Sequence, residues 1–109
     1  MISRIWHGYT TKENAELYEA LLEKEIFIGI ANQKIKGYHG IQLLRRELED
    51  EVEFLTIMLF DSLESVRCFA GEDYEKAVVP LKAQKLLAHY DQRSQHYQIR
   101  IQKMSRSHL

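Results

Sequence analysis

The chain has little cysteine and little proline, and it has no excess of charge of either sign. Among its 109 residues, Cys68 is the single cysteine and Pro80 the single proline. A lone cysteine excludes an internal disulfide and a cysteine-based metal cluster, and it favours a reducing, cytoplasmic location. The 15 basic and 16 acidic residues give a formal net charge of −1. We therefore expect no nucleic-acid partner, because a nucleic-acid-binding face is strongly basic.

Long apolar runs are also missing. No run approaches the ~20 residues that cross a bilayer, and residues 1–9 lack the apolar core of a signal peptide. We therefore expect no membrane partner. The chain has no repeat, low-complexity stretch or linker, so its length predicts one domain. We place that domain at residues 1–103 and expect a flexible tail at residues 104–109.

The most informative stretch is residues 52–74, where an apolar strand is followed by an acidic/serine cap, a short amphipathic helix and a glycine. Both alternating sets of the strand at 52–60 are apolar. One set is Phe54, Met58 and Phe60, with Thr56, and the other is Leu55, Ile57 and Leu59. A strand that is apolar on both faces is buried on both faces. The helices of so small a domain cover one face, so we expect a homodimer packed sheet to sheet.

Periodicity predicts the first half of the chain. Residues 2–9 form a strand, and the hydroxyl of Thr10 or Thr11 begins a helix that continues to about Asn32. An irregular turn over part of residues 27–36 stays an alternative, because apolar and β-branched residues are dense there. Residues 38–48 and 52–60 form a hairpin. The apolar stripe of the helix consists of Leu17, Tyr18, Leu21, Leu22 and Ile26.

The second half contains two more helices and one more strand. A helix begins at Asp61 or Ser62, where Asp61 and Glu64 resemble a capping box, and it ends at Gly71. A short helix follows Pro80 over residues 81–89. Residues 95–102 alternate as a half-buried edge strand. Its two faces are Tyr97, Ile99 and Ile101 on one side, and His96, Gln98, Arg100 and Gln102 on the other.

The order β-α-β-β-α-β predicts an α+β, ferredoxin-like fold with a four-stranded antiparallel sheet and helices on one face. RNA-recognition domains share this order, but they carry basic and aromatic residues on the third strand. Here that strand opens with Glu51 and Glu53. We therefore do not predict RNA binding.

Three histidines lie on predicted strands, where His7, His39 and His96 could converge on a metal. No paired-histidine motif supports this, and hydrogen-bonded structural histidines are the commoner case. We therefore predict no metal site. Cys68 is interpreted as a structural thiol and Ser62 as a helix cap.

Aromatic side chains are the better candidates for a binding site. A ring that carries a polar group can line a small apolar cavity and make one hydrogen bond. Tyr74, Tyr97 and Trp6 could serve in this way, and core packing is the alternative for each.

Several segments resemble one family. They are EVEFLTIMLFDSLESVRCFAGEDYEKAV at 51–78, HYQI at 96–99, the opening ISRIWHGYT, and GYHGIQLLRRE on the second strand. The F-A-G-E-D-Y portion is the most distinctive. In these segments the chain resembles the antibiotic biosynthesis monooxygenase-like proteins of the dimeric α/β-barrel superfamily.

The resemblance implies a ferredoxin-like subunit that dimerises through its sheet into an α/β barrel. It also implies oxidation of a small aromatic or polyketide-like substrate by molecular oxygen, without a cofactor. Trp6, Tyr74 and His96 would line the cavity, and Tyr74 or His96 would take a proton from the substrate. The alternative is a dimer of the same fold that binds a small apolar ligand without catalysis, as a binding or stress-response module.

A heme-degrading branch shares the fold. Its members carry an asparagine on the first strand, a tryptophan at the end of the third strand and a histidine ligand on the following helix. The first strand here has no asparagine, Phe60 stands at the tryptophan position and Val78 falls near the histidine position. We therefore do not predict heme degradation, while heme binding through another histidine stays open.

Overall fold

The first strand of the chain lies inside the sheet, with neighbours on both sides. In the computed structural model, which describes residues 1–105, strand β1 is Ile2–Thr11, and it buries every second side chain. Strands β2 (Tyr38–Glu47) and β3 (Glu51–Phe60) form the predicted hairpin. The strand order is β2-β3-β1-β4, and all of these pairings are antiparallel. The ferredoxin-like, α+β prediction is confirmed.

The strands that pair with β1 on the side away from β3 differ from the prediction. Helix α4 is Leu81–Leu86, so the predicted helix at 81–89 ends too late. Strand β4 (Leu87–Tyr90) pairs with the C-terminal half of β1 instead, and strand β5 (Gln95–Gln98) pairs with its N-terminal half. The predicted strand at 95–102 is therefore too long. One long edge takes two short strands because each satisfies backbone groups of β1 that would otherwise stay unpaired.

A continuous helical stretch follows β1. It consists of α1 (Ala15–Leu21), a π-helical segment (Leu22–Ile26) and α2 (Phe27–Asn32). The predicted end near Asn32 is confirmed, and the alternative of an irregular turn over part of residues 27–36 holds for residues 33–36, where Lys34 has a φ of +51°. The predicted helix start at Thr10 or Thr11 is wrong, because both residues belong to β1 and the N-cap position is Asn14, whose side chain makes no capping hydrogen bond. Thr11 Oγ1 accepts a hydrogen bond from the Asn14 N–H at 3.2 Å, before the helix.

The apolar stripe of this helix was predicted with one error. Leu17 is 59% exposed, whereas Ala15 is fully buried with Tyr18 and Leu22. These three residues recur at spacings of three and four, so they share one helix face. Leu17 lies on a different face.

Helix α3 (Leu63–Ala70) is capped by Ser62, whose Oγ accepts from the Ser65 N–H at 3.2 Å. Of the two predicted starts, Ser62 is therefore correct. The suggested capping box of Asp61 and Glu64 is wrong, since the Asp61 carboxylate lies 2.5 Å from His39 Nε2. The helix ends as predicted at Gly71, whose N–H donates to the Arg67 carbonyl at 2.8 Å.

The two faces of the sheet have different surroundings. On β3, Val52, Phe54, Met58 and Phe60 are buried against the helices, as the alternation predicts. Leu55, Ile57 and Leu59 are half-buried on the opposite face, here called the open face. Among residues 1–105, the helices pack against the first set.

Two further observations concern the predicted boundaries and partners. Met104 and Ser105 are exposed and lie in no helix or strand, while residues 106–109 of the predicted tail lie outside the described residues. Within residues 1–105, no helix combines the length and the apolar character that a membrane crossing requires.

Candidate ligand-binding cavity

A cavity lies between the helical layer and the covered face of the sheet. Its volume is about 60 Å³. This is below the range of pockets that hold small organic ligands, about 300–1,000 Å³, so a ring-sized ligand would require the helical wall to move outward. Its apolar walls are Trp6, Leu22, Ile26, Phe27, Ile30, Ile41, Met58, Phe69, Val78, Val79, Pro80 and Ala83.

The helical wall of the cavity contains the π-helical segment. Leu22 begins this segment and Ile26 ends it, and both side chains line the cavity. A π-helical turn is rare and often occurs at functional sites, because it shifts the register of the side chains around it. Helical periodicity predicted the helix but contained no signal for this turn.

Trp6 lies on β1 and is one wall of the cavity. Its indole Nε1 donates to the Asp91 carbonyl at 2.7 Å, and its ring lies 5.8 Å from the ring of Tyr90. Gly8 lets the ring lie close to the strand, since a Cβ there would come within 2.8 Å of an indole carbon. Trp6 is therefore held in one orientation.

Arg4 is the one charged residue among the cavity walls. It lies two residues before Trp6 on β1 and is 3% exposed. Nη1 donates to the Tyr74 carbonyl and to His96 Nε2, the latter at 2.9 Å, and Nη2 donates to the Lys76 carbonyl at 3.1 Å. The guanidinium also lies 5.5 Å from the centre of the Phe69 ring. Burial lowers the pKa of Arg4 to about 10, so Arg4 is still charged at neutral pH.

The contact with Arg4 determines the tautomer of His96. A guanidinium has donors only, so Nε2 of His96 accepts and the ring proton resides on Nδ1. His96 Nδ1 is buried and has no hydrogen-bond partner. Burial, and then the charge of Arg4, lower the pKa of His96, although Glu75 opposes this. His96 is therefore a neutral ring whose accepting nitrogen is engaged.

Tyr74 lies beside His96, and Arg4 bridges the two residues. The two rings meet edge to face at 5.2 Å between centroids, and Arg67 lies 5.1 Å from the centre of the Tyr74 ring. The structure thus brings Tyr74 and His96 together, but neither residue is among the cavity walls. Trp6, the third residue singled out from the sequence, is itself a wall.

The other histidines on strands are paired with carboxylates on separate parts of the surface. His7 donates to Glu53 at 3.1 Å, and His39 lies next to Asp61. Within residues 1–105, no three histidine, cysteine, aspartate or glutamate side chains are placed to hold a metal ion. His108 lies outside the described residues.

Sequence reasoning missed Arg4, although the sequence contained a signal for it. Ile2 and Trp6 are the apolar positions on either side, so Arg4 occupies the buried phase of the first strand. A charged residue in the buried phase of a strand is unusual and often functional. Ser94 and Thr56, which add two hydroxyls to the cavity walls, had no such signal.

Comparison with known proteins identifies the fold. No protein-family model and no curated protein matches this chain. Among solved structures, the chain is similar to a Bacillus cereus protein provisionally named an antibiotic biosynthesis monooxygenase. The TM-score is 0.67 at 11% sequence identity, and the match covers 95% of this chain and 97% of the other. At this identity the likeness shows a common fold over nearly the whole chain.

Proposed function

We propose that this protein is an antibiotic biosynthesis monooxygenase-like homodimer that oxidises a small aromatic or polyketide-like substrate without a cofactor. The observation that carries the proposal is the make-up of the cavity, whose aromatic and aliphatic walls surround one buried cation. The fold likeness to the Bacillus cereus protein supports the same class. A shared fold alone would not suffice, because one fold hosts many chemistries.

The reaction proposed is the oxidation of an anthrone-type substrate to a quinone. The substrate loses a proton from the ring carbon that reacts, and the resulting carbanion transfers an electron to oxygen. Recombination forms a carbon–oxygen bond and, after protonation, a hydroperoxide. Loss of water then leaves the carbonyl of the quinone. One oxygen atom is retained, the other leaves as water with the two hydrogens of that carbon, and the substrate supplies all the electrons.

We assign the proton transfer to His96 or Tyr74. A general base must reach the proton it removes, directly or through one water. The accepting nitrogen of His96 is engaged by Arg4 at 2.9 Å in the ligand-free protein. Because His96 is not itself a cavity wall, its proposed role requires that Arg4 turns towards the substrate and that one water connects the freed nitrogen to it; Tyr74 lies against the same imidazole.

The test is oxygen uptake with an anthrone or hydroquinone substrate. We expect uptake well above the protein-free rate, with a sharp loss in Tyr74→Phe and His96→Ala. Tyr97→Phe is the matched control, because Tyr97 is 57% exposed and lies opposite Ser3 on the open face. Unchanged rates in both test variants would remove the two proposed roles. Uptake no faster than without protein would remove the proposed activity.

A second candidate function is non-catalytic binding of a small ligand by the same dimer. The position of His96 favours it, because its accepting nitrogen is engaged by Arg4 and the residue is not among the cavity walls. Under this hypothesis the aromatic compound binds in the cavity, and oxygen uptake stays at the protein-free rate.

The proposed dimer is supported by the open face of the sheet. Leu55, Ile57 and Leu59 lie there half-buried, and Leu44 on the next strand is exposed. Apolar side chains arranged in this way across neighbouring strands suit an interface between two copies, because a twofold axis places like surfaces together. At one end of the face, Glu53 accepts hydrogen bonds from His7 and Arg46, which suits a polar rim.

A further inference from the structure

We propose that the cavity selects aromatic ligands that carry an anionic oxygen, either a carboxylate or an ionised phenol or enol, and that Arg4 binds this oxygen. The inference rests on the proposed function only in placing the ligand in this cavity, and it adds the chemical class of that ligand.

The first support is the charge balance around Arg4. The exposed arginines Arg45, Arg46 and Arg93 each pair with a carboxylate. Arg67 and Arg100 are unpaired within the described part of the chain, but they remain exposed to water. Arg4 is the buried one, yet none of the ion pairs among residues 1–105 includes it. Its partners are two carbonyls and a neutral imidazole. Burying an unpaired charge is costly, and an anion in the cavity would offset that cost.

The second support is the number of free donors. A guanidinium has five N–H groups, and the Arg4 group uses three of them, for Tyr74, His96 and Lys76. This leaves two N–H groups on a residue that forms part of the cavity wall. Carboxylates and phenolates are the acceptors that bind such donors most strongly.

The third support is the apolar surface on either side of the cation. Trp6 and Met58 lie on the sheet beside Arg4, and Phe27 and Ile30 lie on the helix across the cavity. A ring admitted between these apolar walls would have one end at Arg4. Thr56 and Ser94 add hydroxyls that suit a second oxygen on the same ring.

The closest alternative is that Arg4 is purely structural. In that case it would hold the 74–76 segment onto β1 through the two carbonyls, and it would not distinguish charged from neutral ligands. The two hypotheses therefore differ in selectivity, which can be measured without any catalytic turnover.

The experiment compares 2-naphthoate with 2-naphthamide, which has nearly the same shape and no charge. Calorimetric titration of the wild-type protein should show the acid binding at least tenfold more tightly. The same measurement on Arg4→Gln should give nearly equal affinities, while Arg4→Lys should retain part of the preference. Arg93→Gln is the control, since Arg93 is exposed and pairs with Asp73.

A second measurement, by NMR, tests whether the ligand binds next to Trp6. Trp6 is the single tryptophan, so the NMR spectrum contains one indole N–H signal, and 2-naphthoate should shift it. Equal affinity of the wild type for acid and amide would overturn the inference, whether or not Arg4→Gln folds. An acid preference that survives in folded Arg4→Gln would also overturn it. Neither result depends on oxygen uptake, so failure here is distinct from failure of the proposed reaction.

Discussion

The buried guanidinium of Arg4 should change the ionisation of any phenol bound beside it. A phenolate oxygen about 4 Å from a unit positive charge gains about 4 kcal/mol at an effective dielectric constant of 20. That energy corresponds to about three pKa units. Desolvation acts in the opposite direction, because a partly enclosed cavity disfavours the charged form of the phenol.

Replacing Arg4 by glutamine separates these two effects. The variant loses the positive charge but keeps the apolar walls of the cavity, so desolvation is nearly the same in both proteins. We therefore expect the pKa of a bound phenol to be about two to three units lower in the wild type than in Arg4→Gln. Arg4 stays protonated throughout the useful range, because its own pKa is about 10.

The assay uses 4-nitrophenol, whose phenolate absorbs visible light. Absorbance is followed against pH with protein in excess, in the wild type, in Arg4→Gln and in the control Arg93→Gln. Circular dichroism at each pH shows that the proteins remain folded. The same bound pKa in the wild type and in folded Arg4→Gln would refute the reasoning, because it would mean that the charge of Arg4 does not act on the ligand.

The remaining predictions concern the dimer and the stability of the fold. Ile57→Lys on the open face should yield a monomer in sedimentation experiments, whereas Leu17→Lys on the exposed helix surface should leave the mass unchanged. A dimer of Ile57→Lys as stable as that of the wild type would contradict the proposed interface. Gly37→Ala should lower the free energy of unfolding in urea by about 2 kcal/mol or more, because φ is +83° and the new Cβ would overlap a serine hydroxyl. Gly29→Ala, which has open space around it, should raise the free energy of unfolding by up to about 1 kcal/mol. Equal effects of the two substitutions would contradict the predicted overlap. Hydrogen bonds, first from His7 and then from Arg46, hold the pKa of Glu53 below its ordinary value of 4.5. The stability advantage of the wild type over Glu53→Gln should therefore be full above about pH 4.5 and should decline as the pH falls through the lowered pKa. A difference in thermal melting that does not change with pH would contradict this.

Local pattern determined the fold class and most of the secondary structure. The apolar sets on both faces of β3 (Glu51–Phe60) and the turn before it predicted the hairpin. The three- and four-residue spacing of Tyr18 and Leu22 predicted the helix and its buried face. These features follow from periods of two and 3.6 residues, so sequence alone is enough to recognise them. The single-domain boundary and the dimer stay predictions.

Tertiary structure decided how the edge of the sheet is built and which side chains meet in the cavity. Residues 87–90 follow a helical pattern, but pairing with the unfilled half of β1 makes them a strand. Arg4, Tyr74 and His96 come from a strand, a loop and another strand, and they meet only because β5 pairs with β1 in the register that sets His96 opposite Arg4. The lowered pKa values of Arg4 and His96 follow from burial and contact, which depend on neighbours more than 60 residues away along the chain.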